Sequence, residues 1–273
     1  MIPHVFRALR DLAYEQAGID IGDEKEPLVA ARVGKRMRAL GLGTEREYLD
    51  KLQADTTGGE LVQFLDAIST NFTSFFRESE HFDQLASAIK SWHDQGQTRF
   101  RIWSAASSSG EEPYTIAIVL SELFRQAAVD FRILATDIST KVLGMAQQGR
   151  YAARQVQPVR KDLLERYFVR DGADRTGEAT YEVVPSLKPH IAYRRLNLSR
   201  PPFPMSGPFD VIFCRNVMIY FDARVRQALV SEMERYLRPG GYLMVGHAET
   251  LSGLDTGLTL VTPSTYRRAG GDA

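Results

Sequence analysis

From residue 99 onward the chain alternates short apolar segments with amphipathic ones, and this alternation constrains its fold more than any other feature. RFRIWSA, FRILATD, IAYRRLNL, FDVIFCRN and GYLMVGH have the length and the β-branched and aromatic content of strands. Between them, EEPYTIAIVLSELFRQA and DARVRQALVSEMERYL carry helical spacing, and PGG after Leu237 stops the second. Strands that alternate with helices are joined by crossovers, so the expectation is an open α/β sheet with largely parallel strands.

Residues 1 to about 90 follow a different grammar: short helical stretches separated by GIDIGD, GLG and TTGGE, with no convincing strand. A chain of 273 residues with 44% apolar side chains accommodates one large domain and a smaller companion. The expected division is an all-helical domain over 1–75, a linking helical region over 76–98 and the α/β domain over 99–273. Residues 151–190 interrupt the strand and helix rhythm with a short helix at VRKDLLERYF and the turn-rich RDGADRTGEATYEVVPSLKPH, more than a crossover needs. They read as a small inserted β-subdomain with strands near Tyr167 to Val169 and Tyr181 to Val184. Its outer edge either receives another chain by strand addition or simply covers one edge of the main sheet.

Lysine plus arginine equals aspartate plus glutamate at 34 each, so no overall field draws the molecule to nucleic acid or anionic lipid. The single cysteine, Cys214, lies in the apolar run FDVIFC and reads as a buried free thiol of a reducing compartment. His4, His81, His93, His190 and His247 form no short-spaced ligand set with cysteine or each other, so no metal is expected. No run of eighteen apolar residues and no signal-peptide pattern is present, which gives a cytoplasmic expectation without stable membrane insertion. The local exception in charge is LVAARVGKRMRALGLG, residues 28–43, with Arg32, Lys35, Arg36 and Arg38 and no acid. Helical spacing sets Arg32, Lys35 and Arg36 on one face and Leu28, Val29, Val33, Met37 and Leu40 on the core side. That face is either a solvated surface or a docking surface for an acidic macromolecule.

The turn Ser107-Ser108-Ser109-Gly110, between the first strand and the helix it leads into, permits close approach of a ligand to backbone amides. The full dinucleotide fingerprint is absent, and Glu111 and Glu112 open the helix where a pyrophosphate would need positive charge. Two carboxylates there suit the ammonium end of an amino acid, which favours S-adenosylmethionine over NAD; the alternative is that they are ordinary first-turn acids. Asp137, ending the second strand, is placed either to accept both hydroxyls of a ribose or to act at the start of the next helix. Asn197 is placed to bond an adenine edge, and Arg215 and Asn216 to border the ligand, since each follows a strand at the same rim.

NFTSFFRESEHF at 71–82, WSAASSSGEEPYTIA at 103–117, FDVIFCRNVMIYFD at 209–222 and PGGYLMVGHAE at 239–249 together resemble the chemotaxis receptor methyltransferase (CheR) family, and the resemblance runs through essentially the whole chain. It implies a Rossmann-like S-adenosylmethionine-dependent domain preceded by a small helical one, and transfer of the methyl group to glutamates in the cytoplasmic helices of methyl-accepting chemotaxis receptors. S-adenosylhomocysteine is the implied product, and membrane receptor arrays are the implied place of work. By motif match, Asn71, Thr73 and Arg77 resemble residues that reach onto the cofactor. Glu111, Glu112 or both resemble its acidic contact, Asp137 the ribose ligand, Asn197 and Leu198 the adenine-side pair, and Arg215 with Asn216 the second rim contact. Tyr220 matches a tyrosine near the methyl-transfer centre. Arg32, Lys35, Arg36 and Arg38 gain acidic receptor helices as a partner, and some relatives hold a receptor's C-terminal peptide on the inserted subdomain. Serine replaces threonine in the turn before Gly110, and HAE replaces HSE at 247–249.

Methyl transfer to a carboxylate is a direct displacement. A glutamate is already ionised near neutrality, so no general base is needed and alignment carries the catalysis. Arg77 either orients the acceptor carboxylate or contacts the carboxylate of the cofactor, while Phe72, Phe75 and Phe76 read as packing around it. The competing accounts are methylation of a small molecule or nucleic acid, and a non-catalytic docking protein; zero net charge gives little support for nucleic acid.

Overall fold

A computed structural model describes residues 1–68 and 73–270 of the chain. Four helices come first: α1 (Pro3–Ala17), α2 (Glu26–Leu40), α3 (Glu45–Ala54) and α4 (Gly59–Ile68). Each has a local cause. Proline in the first turn starts α1 and α2, left-handed Gly18 and Gly41 end them, and Thr44 and Glu47 form a reciprocal capping box at the start of α3. Their apolar stripes meet in a core that includes Val5, Leu9, Val33, Tyr48 and Phe64.

In α2 the sequence expectation needs correcting. Val29 and Val33 are buried as expected, but Leu28 is 44% exposed. Arg32 and Arg36 turn inward instead of lining the outer face. Arg32 donates to the Ala67 and Ile68 carbonyls at the C-terminal end of α4, at 2.9 and 2.8 Å. Arg36 grips Glu60 with two hydrogen bonds of 3.1 and 2.6 Å, and Tyr48 donates to the same carboxylate. The cations left outward are Lys35 and Arg38. Spacing alone missed this because the helix packs on α3 and α4 along a broader face than its apolar residues mark.

After α5 (Glu80–Asp94) the main sheet is built from β1 (Arg99–Ala105), β2 (Asp130–Asp137), β6 (Ile191–Arg195), β7 (Phe209–Cys214), β8 (Leu237–Val245), β9 (Leu258–Thr262) and β10 (Thr265–Arg268). Their spatial order is β6-β2-β1-β7-β8-β10-β9, with parallel pairing from β6 to β8 and antiparallel pairing of β10 with β8 and β9. All five expected strands are present. The β9–β10 hairpin was not anticipated, because exposed Leu260 and Val261 break the alternation by which a half-buried strand is recognised.

Helices α6 (Glu111–Leu123), α7 (Thr140–Gln148) and α10 (Ala223–Tyr236) connect the parallel strands. Between α7 and β6 lies a separate three-stranded sheet, β3 (Arg150–Ala152), β4 (Phe168–Ala173) and β5 (Ala179–Val183), in the order β3-β5-β4, with short helices α8 (Ala153–Val156) and α9 (Lys161–Tyr167). Cys214 is free and buried.

From β1 the chain passes to β2 on one side, and the later strand β7 lies on the other side, so a crevice opens at the carboxyl end of β1 where the winding reverses. The end of α1 closes one wall of it. Gly18 is required there, since a Cβ would fall 2.4 Å from that of Ser199. Asn197 Nδ2 donates to the Gln16 carbonyl at 2.7 Å, the Asp20 amide to the Tyr220 carbonyl at 2.8 Å, and Tyr14 to Asp222 at 2.7 Å.

Candidate active site

The crevice is a cleft of about 940 Å³, open mouth included, lined by Ala17, Ile19, Thr73, Ser74, Arg77, Ala106, Ser108, Glu112, Asp137, Ile138, Leu196, Asn197, Leu198, Arg215, Asn216, Val217, Tyr220 and Phe221. Its floor is the turn after β1, where Ala106, Ser108 and Gly110 all take left-handed conformations. Strain of this kind persists where surrounding contacts hold it, and here the Ser107 amide donates to the Thr136 carbonyl at 2.8 Å and the Ser108 amide to Asp137 Oδ2 at 2.9 Å. Gly110 serves packing rather than a ligand. A Cβ there would meet Ala146 at 2.8 Å and the Tyr151 hydroxyl at 2.9 Å.

Asp137 faces the cleft with one amide on each oxygen, the second being Ser139 N at 2.9 Å. The helix cap of α7 is Ser139, whose hydroxyl accepts from Val142 N, so Asp137 is not needed for that task. Burial pushes its carboxyl above the ordinary value.

Glu111 and Glu112 separate. Glu112 lines the cleft, accepting from the Ser104 hydroxyl at 2.7 Å and from Arg215 Nη1 at 3.2 Å, and burial raises its carboxyl. Glu111 is buried away from the cleft among Ser109 and Gln155, so the expectation that it touches the cofactor is corrected. The first turn of a helix sends successive side chains about 100° apart, which sequence reading alone left undivided.

Arg215 is buried between two carboxylates, Glu112 and Glu78, the latter at 3.0 Å, and it also donates to the Arg77 carbonyl. Burial works against the Glu78 carboxylate, but Arg215, Asn216 and the His247 amide together hold it below its ordinary value. Asn216, left-handed at φ 59°, donates from its side chain to Glu78 at 3.3 Å. Glu78 thus belongs to the site and was missed by the sequence reading, although it sits inside the quoted motif NFTSFFRESEHF. The fold also brings His81 and His247 together, their rings 5.2 Å apart and edge to face. Their ligand atoms and those of Glu78 lie within 4.8 Å of one another, but a metal ion would have to displace Arg215 from Glu78. His247 is exposed, with its ring against His81 and its amide donating to Glu78 at 3.3 Å.

Thr73, Arg77 and Tyr220 line the same cleft, as does Leu198. Asn71 and Phe72 lie outside the described residues. Phe75 is buried edge-on against Tyr151 and Phe168, and Phe76 packs edge-on against Phe82, consistent with packing that seats Arg77. Asn197 lines the cleft, but its side chain is committed to Gln16 and, through Oδ1, to Ser199 at 2.8 Å. In this arrangement the side-chain edge expected to meet an adenine is already occupied. Ala17 and Ile19, from the helical domain, were not anticipated as cleft residues.

Fold and cleft together define the class of S-adenosylmethionine-dependent methyltransferases. A family model described as the CheR methyltransferase SAM binding domain matches residues 71–266, and one described as the CheR methyltransferase all-alpha domain matches 4–69. The chain belongs to the CheR methyltransferase family. It is 38% identical over 249 residues to a chemotaxis protein methyltransferase of Salmonella typhimurium, covering 91% of this chain and 84% of that protein. It is 38% identical over 264 residues to one of Borreliella burgdorferi, covering 94% and 91%, and 37% over 261 residues to one of Escherichia coli, covering 96% and 89%.

Proposed function

We propose that this chain transfers the methyl group of S-adenosylmethionine to glutamate carboxylates of chemotaxis receptors, giving glutamate methyl esters and S-adenosylhomocysteine. The observation that carries the reading is the convergence of Asp137, Glu112, Arg215 and Asn216 with Arg77 and Tyr220 on one cleft. The residues fit the cofactor. Asp137 is a half-buried carboxylate with acceptor capacity left for ribose hydroxyls, and the buried Ser108 hydroxyl on the cleft floor has no hydrogen-bond partner among the described residues. When bound, S-adenosylmethionine supplies an electrophilic methyl group on a sulfonium. Glu112 faces the ammonium end, and Arg77, one-third exposed at the cleft wall, aligns the incoming carboxylate with its fork of donors. Tyr220 packs beside the methyl-transfer centre. The test is transfer of labelled methyl to receptor-containing membranes, with alkaline release of labelled methanol and a receptor glutamate-to-alanine control. Label that persists in that control, or no label at all, removes the assignment.

Recruitment to receptor arrays is part of the same proposal. Lys35 and Arg38 present two cations on the outer face of α2 beside exposed Leu28, which suits an acidic receptor helix. No described helix is long and apolar enough to cross a membrane. The outer strand β4, with Val169 57% exposed, offers an edge on which a receptor's C-terminal peptide can add as a strand. Receptors lacking their final residues should then be methylated more slowly; equal rates would remove the peptide from the scheme.

A further inference from the structure

We infer that Glu249 is a positioning residue for cofactor binding, acting through the backbone of the two loops that follow β7 and β8; this rests on the reading that Arg215 and Asn216 border the cofactor. Glu249 is buried, and its two oxygens gather amides from both loops. Oε2 accepts from Asn216 N at 2.8 Å and Gly246 N at 2.6 Å, and Oε1 accepts from Met218 N at 2.7 Å. One side chain therefore fixes the residues on either side of Val217, a cleft position, and the start of the 3₁₀ turn Met218–Tyr220 that carries Tyr220.

The lock steadies a left-handed conformation at Asn216, one uncommon outside glycine though better tolerated by asparagine than by most residues. It is also tight. A Cβ on Gly246 would lie 2.5 Å from Asn216 Nδ2 and 2.8 Å from Glu249 Oε2, so only glycine admits this approach. A carboxylate can accept all three amides at once. A glutamine of the same shape turns an amino group toward at least one N–H and leaves it without an acceptor.

The experiment measures the dissociation constant of S-adenosylhomocysteine by calorimetry on the full chain, with the melting temperature beside it. Glu249→Gln and Gly246→Ala should each weaken binding about tenfold or more. The control is Asp210→Asn, at the opposite end of β7. Asp210 is another buried carboxylate and accepts from Arg101 N, Gln97 and Arg238, each at 2.7 Å. That variant should melt lower yet bind the product as the parent does, which separates positioning from general support. An unchanged constant in either soluble lock variant, or equal weakening in Asp210→Asn, overturns the inference. Failure of both lock variants to fold overturns it too, by making the lock part of the framework. Undiminished binding in Asp137→Ala would sink the underlying site reading instead.

Discussion

Asp137 and Ser108 meet across the crevice between β2 and the turn after β1, the serine amide donating to the aspartate at 2.9 Å. The contact ties the acid proposed to meet the ribose to the cleft floor, so the carboxylate is oriented before any ligand arrives. Asp137→Asn should weaken S-adenosylhomocysteine binding about tenfold to a hundredfold, the worth of charge-assisted hydrogen bonds. The sign of the pH effect follows from burial, which raises this carboxyl above its ordinary value. The ionised form accepts both hydroxyls, so affinity should fall with decreasing pH, beginning above the usual aspartate range. Calorimetry across that range checks it, and the asparagine variant should keep only the part of the dependence that belongs to Glu112, whose carboxyl burial also raises.

Arg77 stands at the cleft wall with its carbonyl held by Arg215 and its guanidinium 3.9 Å from Glu78. Its backbone is fixed while its head reaches the mouth. Arg77→Ala should lower kcat about a hundredfold, the scale of a misaligned near-attack geometry, while product affinity stays within a few fold. Arg77→Lys restores the charge without the planar fork and should recover little. A loss seen in product affinity with kcat unchanged would assign Arg77 to the cofactor instead.

The sheet was legible because parallel strands buried on both faces read as apolar runs, as in FDVIFC, and the rim residues were legible because each follows such a run. What sequence could not show was direction. Glu111 and Glu112 are neighbours in the chain and face different neighbourhoods, and only the position of Arg215 decides which one joins the cleft. Arg36 looked like a surface cation because its partner, Glu60, lies on another helix. Glu249 sits within the quoted PGGYLMVGHAE but nothing there marked its role, since its partners are backbone amides, which nearly every residue has.

The two kinds of cation on α2 should separate cleanly. Arg36→Ala leaves the Glu60 carboxylate, which still accepts from Tyr48, without its half-buried cation and should cost about 1–3 kcal/mol, seen as a lower melting temperature. Lys35→Glu with Arg38→Glu should leave the melting temperature alone and raise the KM for receptor several fold at low salt. That rise should shrink as salt screens the encounter. A salt-independent rise would mean that α2 meets receptor through packing at Leu28 rather than through charge.

His81 makes a last prediction about acid stability. Its ring is buried, neither nitrogen has a hydrogen bond among the described residues, and burial, followed by the nearby Arg215, lowers its pKa to about 4. The unfolded chain takes up a proton near the ordinary value of 6.5, which the native fold refuses. The native state therefore keeps this stability in full above pH 6.5 and loses it as pH falls toward 4, by at most about 1.4 kcal/mol per unit. Carboxylates such as Glu78, held low by Arg215, yield only at lower pH, and Asp137 and Glu112, raised by burial, act in the opposite direction, so a His81 variant is what isolates the histidine's share. Denaturant titrations at about pH 7, 6 and 5 should show His81→Leu with a much flatter decline than the parent. An equal decline in both would place the acid lability outside this ring and leave its burial without consequence for stability.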